Sequence, residues 1–192
     1  MGYDTTAWTT AGNTLTIGGT TLYANFSIGS TEATNFAAGY HEMLAFENSN
    51  YGLVGANPHL GNDPDPATSF TTADSAGSMA RDLVPCLWYV PDNIYIDAIS
   101  SLEGADNSTG DTTRMHCLSY TFTSGSTSAL SSGTVLASSS DVTNSGNEQV
   151  YLSTWTVDSP SVAAGKVIVV TFESDSVNSD FSLQVRVKYH LV

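Results

Sequence analysis

Hydrophobic and polar residues alternate at the end of the chain. From Phe181 to Leu191 every odd-numbered residue is apolar, and every residue between them is polar or charged. This period of two is that of a β-strand with one buried face, because successive side chains of a strand point to opposite sides. A second run, Lys166–Glu173, comes before it after a polar turn. We therefore expect the two runs to form a closing antiparallel pair, with one face in a core and one in water.

Shorter runs of the same kind predict further strands upstream, and no helical period is sustained anywhere. The run from Ser78 to Val90 is interrupted by Pro85, which indicates a sheet edge or a bulge. The other predicted strands are Ile94–Ile99, Thr112–Thr123, Gly133–Ser138 and Gln149–Val157. Strands at this spacing, all of them within residues 78–192, predict an all-β fold that is either a sandwich or a barrel.

The first part of the chain, residues 1–77, is predicted to be an extended, loop-rich arm that contains one β-hairpin. The hairpin is expected to join Leu15–Ile17 to Thr20–Tyr23 through the turn Gly18-Gly19. Residues 48–77 combine several prolines with many Gly, Asn and Asp residues, which is typical of loops. So long a loop favours a purpose such as contact with a neighbouring chain.

Composition and charge narrow the class of protein. Of the 192 residues, 41% are hydrophobic, enough for one folded domain with a core. Nineteen acidic residues face five basic ones, giving a net charge of -14. A surface of this sign repels phosphate backbones and anionic lipids, so neither nucleic acid nor membrane is an expected partner. No run of apolar residues is long enough to span a bilayer.

The sequence predicts no cofactor and no metal site. Cys86 and Cys117 lie in strand-like runs where a disulfide is geometrically possible. Without a signal-peptide pattern at the N-terminus, buried free thiols are the expectation. The loops Asp63–Asp65 and Asp106–Asp111 offer oxygen ligands for calcium, but ordinary turn formation by Asp and Asn explains them equally well.

No reaction centre is recognisable, and we expect no enzymatic activity. His41–Glu42 is the only adjacent pair of an acid and an imidazole, but catalysis would also require a nucleophile and an orienting partner. His116 and His190 alternate with apolar residues on strands, which favours a structural role. Motifs of serine hydrolases, zinc proteases, phosphate-binding loops and dinucleotide sites are absent from the sequence.

Two segments carry a resemblance to a known family. Ser159–Val169 resembles the turn and strand near the end of small jelly-roll domains in tailed-phage virion proteins, although Lys166 stands where Asp is more usual. Leu87–Ile96 looks like the apolar strand, proline turn and Ile-x-Ile strand that these proteins often share. The composition, rich in Ser, Thr and Gly, is similar to structural proteins of cyanobacterial and other marine phages.

The resemblance implies an antiparallel, jelly-roll-like β-sandwich over residues 78–192. In function it implies a non-enzymatic virion structural protein of the head decoration or cement type, assembled in the host cytoplasm. Such a protein clamps neighbouring shell subunits, often as a homotrimer, so its partners would be other copies and the major capsid protein. The alternatives are a tail-fibre or receptor-binding head domain that recognises host glycans, and a cell-surface carbohydrate-binding or adhesion module. The residues expected at partner contacts are aromatic anchors in the arm and two basic residues near the C-terminus: Trp8, Tyr23, Phe26, Tyr40, Tyr51, Arg186 and Lys188.

Overall fold

The computed structural model confirms an all-β fold built from antiparallel sheets that pack face to face. The structure describes residues 8–11, 14–17, 21–31, 41–47, 84–105, 110–126, 130–145, 148–175 and 181–192. These residues form fifteen strands and one short 3-10 helix, Val84–Cys86. The strands are β1 (Trp8–Ala11), β2 (Thr14–Ile17), β3 (Leu22–Thr31), β4 (Glu42–Met43), β5 (Ala45–Phe46), β6 (Trp88–Tyr89), β7 (Ile94–Ala105), β8 (Thr112–Phe122), β9 (Leu130–Ser138), β10 (Val142–Thr143), β11 (Gln149–Thr154), β12 (Thr156–Val157), β13 (Ser161–Val162), β14 (Lys166–Ser174) and β15 (Phe181–Leu191).

Within the described part of the chain, two sheets make the sandwich. The seven-stranded sheet has the order β12-β9-β8-β14-β4, with β10 paired to β8 and β6 paired to β14. The six-stranded sheet has the order β11-β7-β15-β3-β5, with β13 paired to β7. The core between the sheets contains side chains from both, and the indole Nε1 of Trp155 donates a hydrogen bond of 2.9 Å to Ser101 Oγ inside it. The finer prediction of jelly-roll connectivity stays a prediction.

The two closing strands do not pair with each other, so the predicted closing hairpin is wrong. β14 lies beside β8 in the seven-stranded sheet, whereas β15 lies between β7 and β3 in the six-stranded sheet. Phe172 and Phe181, one from each strand, meet across the core with ring centroids 4.9 Å apart. Alternation shows which side chains face a core but not which strand lies alongside. The continuous apolar run Val167–Val170 is instead typical of a strand buried on both faces, as β14 is.

The predicted boundary between arm and sandwich at residue 77 is also wrong. β3 pairs with β15 along most of its length, and its side chains Ala24, Phe26 and Ile28 lie in the core. β4 and β5 join the seven-stranded and six-stranded sheets, respectively. Residues 22–31 and 41–47 therefore belong to the sandwich, because their apolar positions complete the buried faces of its sheets.

The hairpin in the first part of the chain has different strands from those predicted. β2 pairs with β1, with Thr14 opposite Ala11, and the two form a separate two-stranded sheet. Leu22 and Tyr23, from the segment expected to be the second hairpin strand, belong to β3, whose neighbours are β15 and β5. β3 pairs with β15 from Leu22 to Thr31, which is a longer pairing than the short hairpin expected at the glycine turn.

The two segments that carry the phage resemblance lie side by side. β6 and β14 are hydrogen-bonded neighbours, and so are β7 and β13. Between them, the turn at Gly165 has a φ of 82°, a left-handed conformation that glycine adopts without strain. Its N–H donates to the carbonyl of Val90 at 2.8 Å, and the N–H of Ala164 donates to Asn93 Oδ1 at 2.9 Å. These bonds give the glycine turn and the proline turn a structural role in joining the two sheets.

Both cysteines are buried and neither forms a disulfide, as the sequence favours. Cys86 lies in the 3-10 helix Val84–Cys86, so its predicted placement in a strand-like run is wrong. Cys117 lies in β8 and faces the core between the sheets, where burial raises the pKa of its thiol to about 12. A thiol held in its protonated form is a small apolar side chain and a poor nucleophile.

Candidate functional site

The outward face of the six-stranded sheet is open to solvent. In β15 the buried and exposed residues alternate from Phe181 to Val187, and this part of the predicted pattern is confirmed. The registers of β11, β7, β15 and β3 place the outward side chains in continuous rows. We call this surface the open face, and it comprises Tyr23, Asn25, Ser27, Ser100, Leu102, Val150, Leu152, Thr154, Ser182, Gln184, Arg186 and Lys188.

One side of the open face is apolar. Leu152 of β11 lies opposite Leu102 of β7, and the exposed fractions are 75% for Val150, 74% for Leu152 and 43% for Leu102. A depression of about 200 Å³ lies between this edge and β15, lined by Leu102, Leu152, Gln184 and Arg186 among others. In the described part of the chain, β11 has a partner strand on one side only. Such an edge with exposed apolar side chains is suited to contact with another chain.

The other side of the open face is basic. The Arg186 guanidinium lies 5.8 Å from the ring centroid of Tyr23, and its Nε donates to Asn25 Oδ1 at 3.4 Å. Lys188 lies directly opposite Tyr23 in the register of β15 and β3. Among the described residues, neither Arg186 nor Lys188 has a carboxylate partner. His190, the next outward residue, is paired with Asp97, with Nδ1 3.0 Å from Oδ1.

The predicted contact residues therefore separate into three groups. Tyr23, Arg186 and Lys188 come together on the open face. Phe26 was predicted as an apolar anchor for a partner, and this is wrong because its ring is fully buried in the core, 5.3 Å from the Phe46 ring. Trp8 lies in β1, and Tyr40 and Tyr51 lie outside the described residues. For Trp8, Tyr40 and Tyr51 the contact stays a prediction.

Sequence reasoning did not find the apolar edge, although a signal is present. In the run from 149 to 157, Val150 and Leu152 occupy one face while Tyr151, Trp155 and Val157 occupy the other. A strand with one wet face should be polar on one of its two sides. β11 has apolar residues on both of its sides and is not a central strand, so the pattern predicts that some of these residues are exposed, as Val150 and Leu152 are.

The outward face of the seven-stranded sheet is covered rather than open. Val167 and Val169 of β14 pack with Leu118 and Tyr120 of β8 in a second apolar cluster, separate from the core between the sheets. Each of these side chains is at most 2% exposed. We call this surface the closed face, and it comprises His41, Met43, His116, Leu118, Tyr120, Val167, Val169, Thr171 and Glu173.

One end of the closed face holds two histidines and a carboxylate. His41 Nε2 lies 3.5 Å from Glu173 Oε2, and the rings of His41 and His116 have centroids 5.3 Å apart at an angle of 63°. The side chains of His41 and Glu42, which are adjacent in the sequence, are separated, because Glu42 lies opposite Phe172 in the register and so points to the other side of the sheet. Burial, together with the charges of His41 and Arg114, lowers the pKa of His116 to about 4.

Most of the two loops that offer oxygen ligands for calcium lies outside the described residues. Asp63–Asp65 and residues 106–109 lie outside the described residues. Asp111 is buried, and its carbonyl accepts a hydrogen bond of 2.9 Å from the N–H of Asn144.

Comparisons with known proteins add no assignment. No family model matches the chain, and no curated protein matches it. None of the described segments forms a helix with the length and hydropathy that a membrane crossing requires. The resemblance to phage virion proteins therefore stays a prediction.

Proposed function

We propose that this chain is a non-enzymatic structural protein of a virus particle, a capsid decoration or cement protein that associates through its open face. The observation that supports the proposal most is the combination of exposed apolar and unpaired basic side chains on a rigid sheet. Leu152 and Val150 are about three-quarters exposed, and Arg186 and Lys188 have no carboxylate partner among the described residues. An apolar patch beside unpaired charges is typical of a protein–protein interface.

The partner at the open face is another copy of this chain. The face carries two of the five basic residues of a chain with a net charge of -14. The remaining surface of each copy is therefore acidic, and it complements Arg186 and Lys188. A head-to-tail contact pairs the basic side of one copy with the acidic surface of the next, and such contacts form closed rings, such as trimers, when the rotation between copies closes.

Attachment of the oligomer to the shell is the second part of the proposal. From the sequence, we expected an N-terminal arm of residues 1–77 to make this contact. Deletion of that whole range would remove β3, β4 and β5 from the sandwich and unfold the protein. The deletion that tests the arm is therefore residues 1–20, which ends before the first sandwich strand.

The proposal is tested by binding of the purified protein to particles of the virus that lacks it. Electron microscopy should show the full-length chain on the shell as a symmetric oligomer. Leu152→Asp should remove the density, since it places a charge in the apolar part of the open face. Val84→Asp is the matched control, because Val84 is 69% exposed but lies outside that face.

Two results would contradict the proposal. One is normal decoration by Leu152→Asp. The other is binding of the protein to host glycans on an array, with no binding to shells, which would favour a receptor-binding head domain instead. Loss of binding for the deletion of residues 1–20, with an unchanged oligomer, would assign shell attachment to the N-terminal segment.

A further inference from the structure

Three potential metal ligands lie together on the closed face. They are far apart in the sequence but close together in space. His41 immediately precedes β4, Glu173 is on β14, and His116 is on β8. The register pairs Thr171 with His116 and Thr171 with Met43, so these three strands bring all three ligands to one side of the sheet. One ligand atom from each residue lies within 4.8 Å of the other two.

The distances match what a small cation requires. Nitrogen and oxygen ligands at the bond lengths of zinc lie roughly 3.3 Å from one another around a tetrahedral ion. His41 Nε2 and Glu173 Oε2 are 3.5 Å apart, so the spacing of these two atoms is already close to the one that zinc requires. The other distances between the ligand atoms are at most 4.8 Å, so closing them to this spacing requires movements of no more than about 1.5 Å.

The surroundings of His116 are those of a metal-binding imidazole. Its Nδ1 lies 2.9 Å from Ser138 Oγ, which fixes the ring and leaves Nε2 for another ligand. A hydrogen bond to the second ring nitrogen is the usual support of a coordinating histidine.

An independent observation at the same place is an unsatisfied hydroxyl. Thr171 is fully buried, and its Oγ1 has no hydrogen-bond partner among the residues that the structure describes. It lies opposite His116 in the register and two residues before Glu173 on the same side of β14. Buried polar atoms without partners are rare in folded proteins. A hydrated ion at the cluster would give this hydroxyl a water to bond.

The charge beside the cluster favours a cation. A cavity of about 310 Å³ is lined by His116 and Glu173, together with Arg114, Asp141 and Asp175. Its three carboxylates outnumber its single guanidinium, and Arg114 is already paired with Asp141, with Nε 3.7 Å from Oδ1. The cavity therefore offers a negatively charged route from solvent to the ligands.

We propose that His41, His116 and Glu173 bind one divalent transition-metal ion of the zinc class, with the remaining coordination position facing this cavity. Two imidazoles and one carboxylate suit such an ion, whereas calcium and magnesium require all-oxygen sites. The ion ties the segment before β4 to β14 and β8, and so holds the closed face together. The proposal departs from the sequence prediction of no metal site, and it does not depend on the function of the open face.

The test uses the full-length chain without a histidine tag, treated with chelator and titrated with Zn²⁺ alone by calorimetry and in thermal unfolding. We expect one ion per chain, bound in the micromolar range or tighter, and a rise in melting temperature. Glu173→Gln should weaken binding at least tenfold. Because Glu173 is about a third exposed, this variant should fold. Mg²⁺ and Ca²⁺ should give neither signal.

The matched control is His190→Ala, which removes a histidine from another histidine–carboxylate pair on the opposite sheet. It should bind Zn²⁺ as the unchanged protein does. The proposal is overturned if no stoichiometric binding occurs, if Glu173→Gln binds as tightly as the unchanged chain, or if His190→Ala loses affinity to the same extent. Co²⁺ in place of Zn²⁺ should give visible absorption bands that Glu173→Gln alters and His190→Ala does not.

Discussion

The two outward faces of the sandwich differ although both belong to antiparallel sheets in one small protein. On the closed face, Val167 and Val169 are buried, so β14 is apolar on both of its sides. On the open face, β15 shows polar side chains to water at every second position up to Arg186. The closed face is therefore part of what holds the fold together. The open face is available for contact with a partner, since little in the fold depends on its side chains.

The largest expected effect comes from placing the same charge on each face. Val169→Asp puts a carboxylate where the side chain is fully buried, and we expect a loss of more than about 4 kcal/mol in the free energy of unfolding. Leu152→Asp, on the open face, should change it by less than about 0.5 kcal/mol. Urea unfolding of both variants measures the difference. Similar losses for the two would contradict the distinction between the faces.

The next effect compares the two sides of a single strand. Phe26 and Tyr23 both lie on β3, but Phe26 points into the core and Tyr23 is 55% exposed. Phe26→Ala should cost about 3–5 kcal/mol, because it leaves a cavity between the sheets. Tyr23→Ala should leave the free energy of unfolding almost unchanged. If Phe26→Ala were harmless, the assignment of β3 to the sandwich would be wrong.

These two predictions show what the sequence determines about this fold. Alternation in β15 correctly identified its buried and exposed sides, and the all-β class followed from many such runs. Pairing did not follow, because the partners of β15 are β7 and β3, which are distant in sequence. The cluster of His41, His116 and Glu173 was missed for the same reason. Three residues separated by more than fifty positions become neighbours only when the strand order is known.

A third effect concerns the interior between the two faces and depends on pH. Glu103 is 1% exposed, and Thr113 Oγ1 donates a hydrogen bond of 2.7 Å to its Oε1. Burial raises the pKa of this carboxyl from 4.5 to about 7, although the Thr113 hydrogen bond acts in the opposite direction. The folded protein therefore holds the proton more tightly than the unfolded chain does. The stability that this carboxyl contributes is fully present below pH 4.5 and is lost as the pH rises to 7.

Comparison with Glu103→Gln isolates this effect from other titrating groups. Between pH 4 and pH 8, the free energy of unfolding of the unchanged protein should fall by about 3 kcal/mol more than that of the variant, because of the shift in the pKa of Glu103. Urea unfolding at several pH values measures both curves. Parallel curves would show that Glu103 titrates normally.

The smallest effect lies within the open face itself. The guanidinium of Arg186 over the ring of Tyr23 is an exposed contact, so a double-mutant cycle of Arg186→Gln and Tyr23→Leu should give a coupling of about 0.5 kcal/mol. The coupling energy measures how strongly the Arg186 side chain is held against Tyr23 in the absence of a partner. No coupling would mean that the two side chains move independently.

The central claim is that the open face serves association and the closed face serves the fold. Its most direct test is light scattering of the full-length chain and Leu152→Asp at micromolar concentration, with Val84→Asp as control. We expect an oligomer, such as a trimer, for the unchanged chain and Val84→Asp, and a folded monomer for Leu152→Asp. A stable monomer for the unchanged chain, or an undisturbed oligomer for Leu152→Asp, would contradict it.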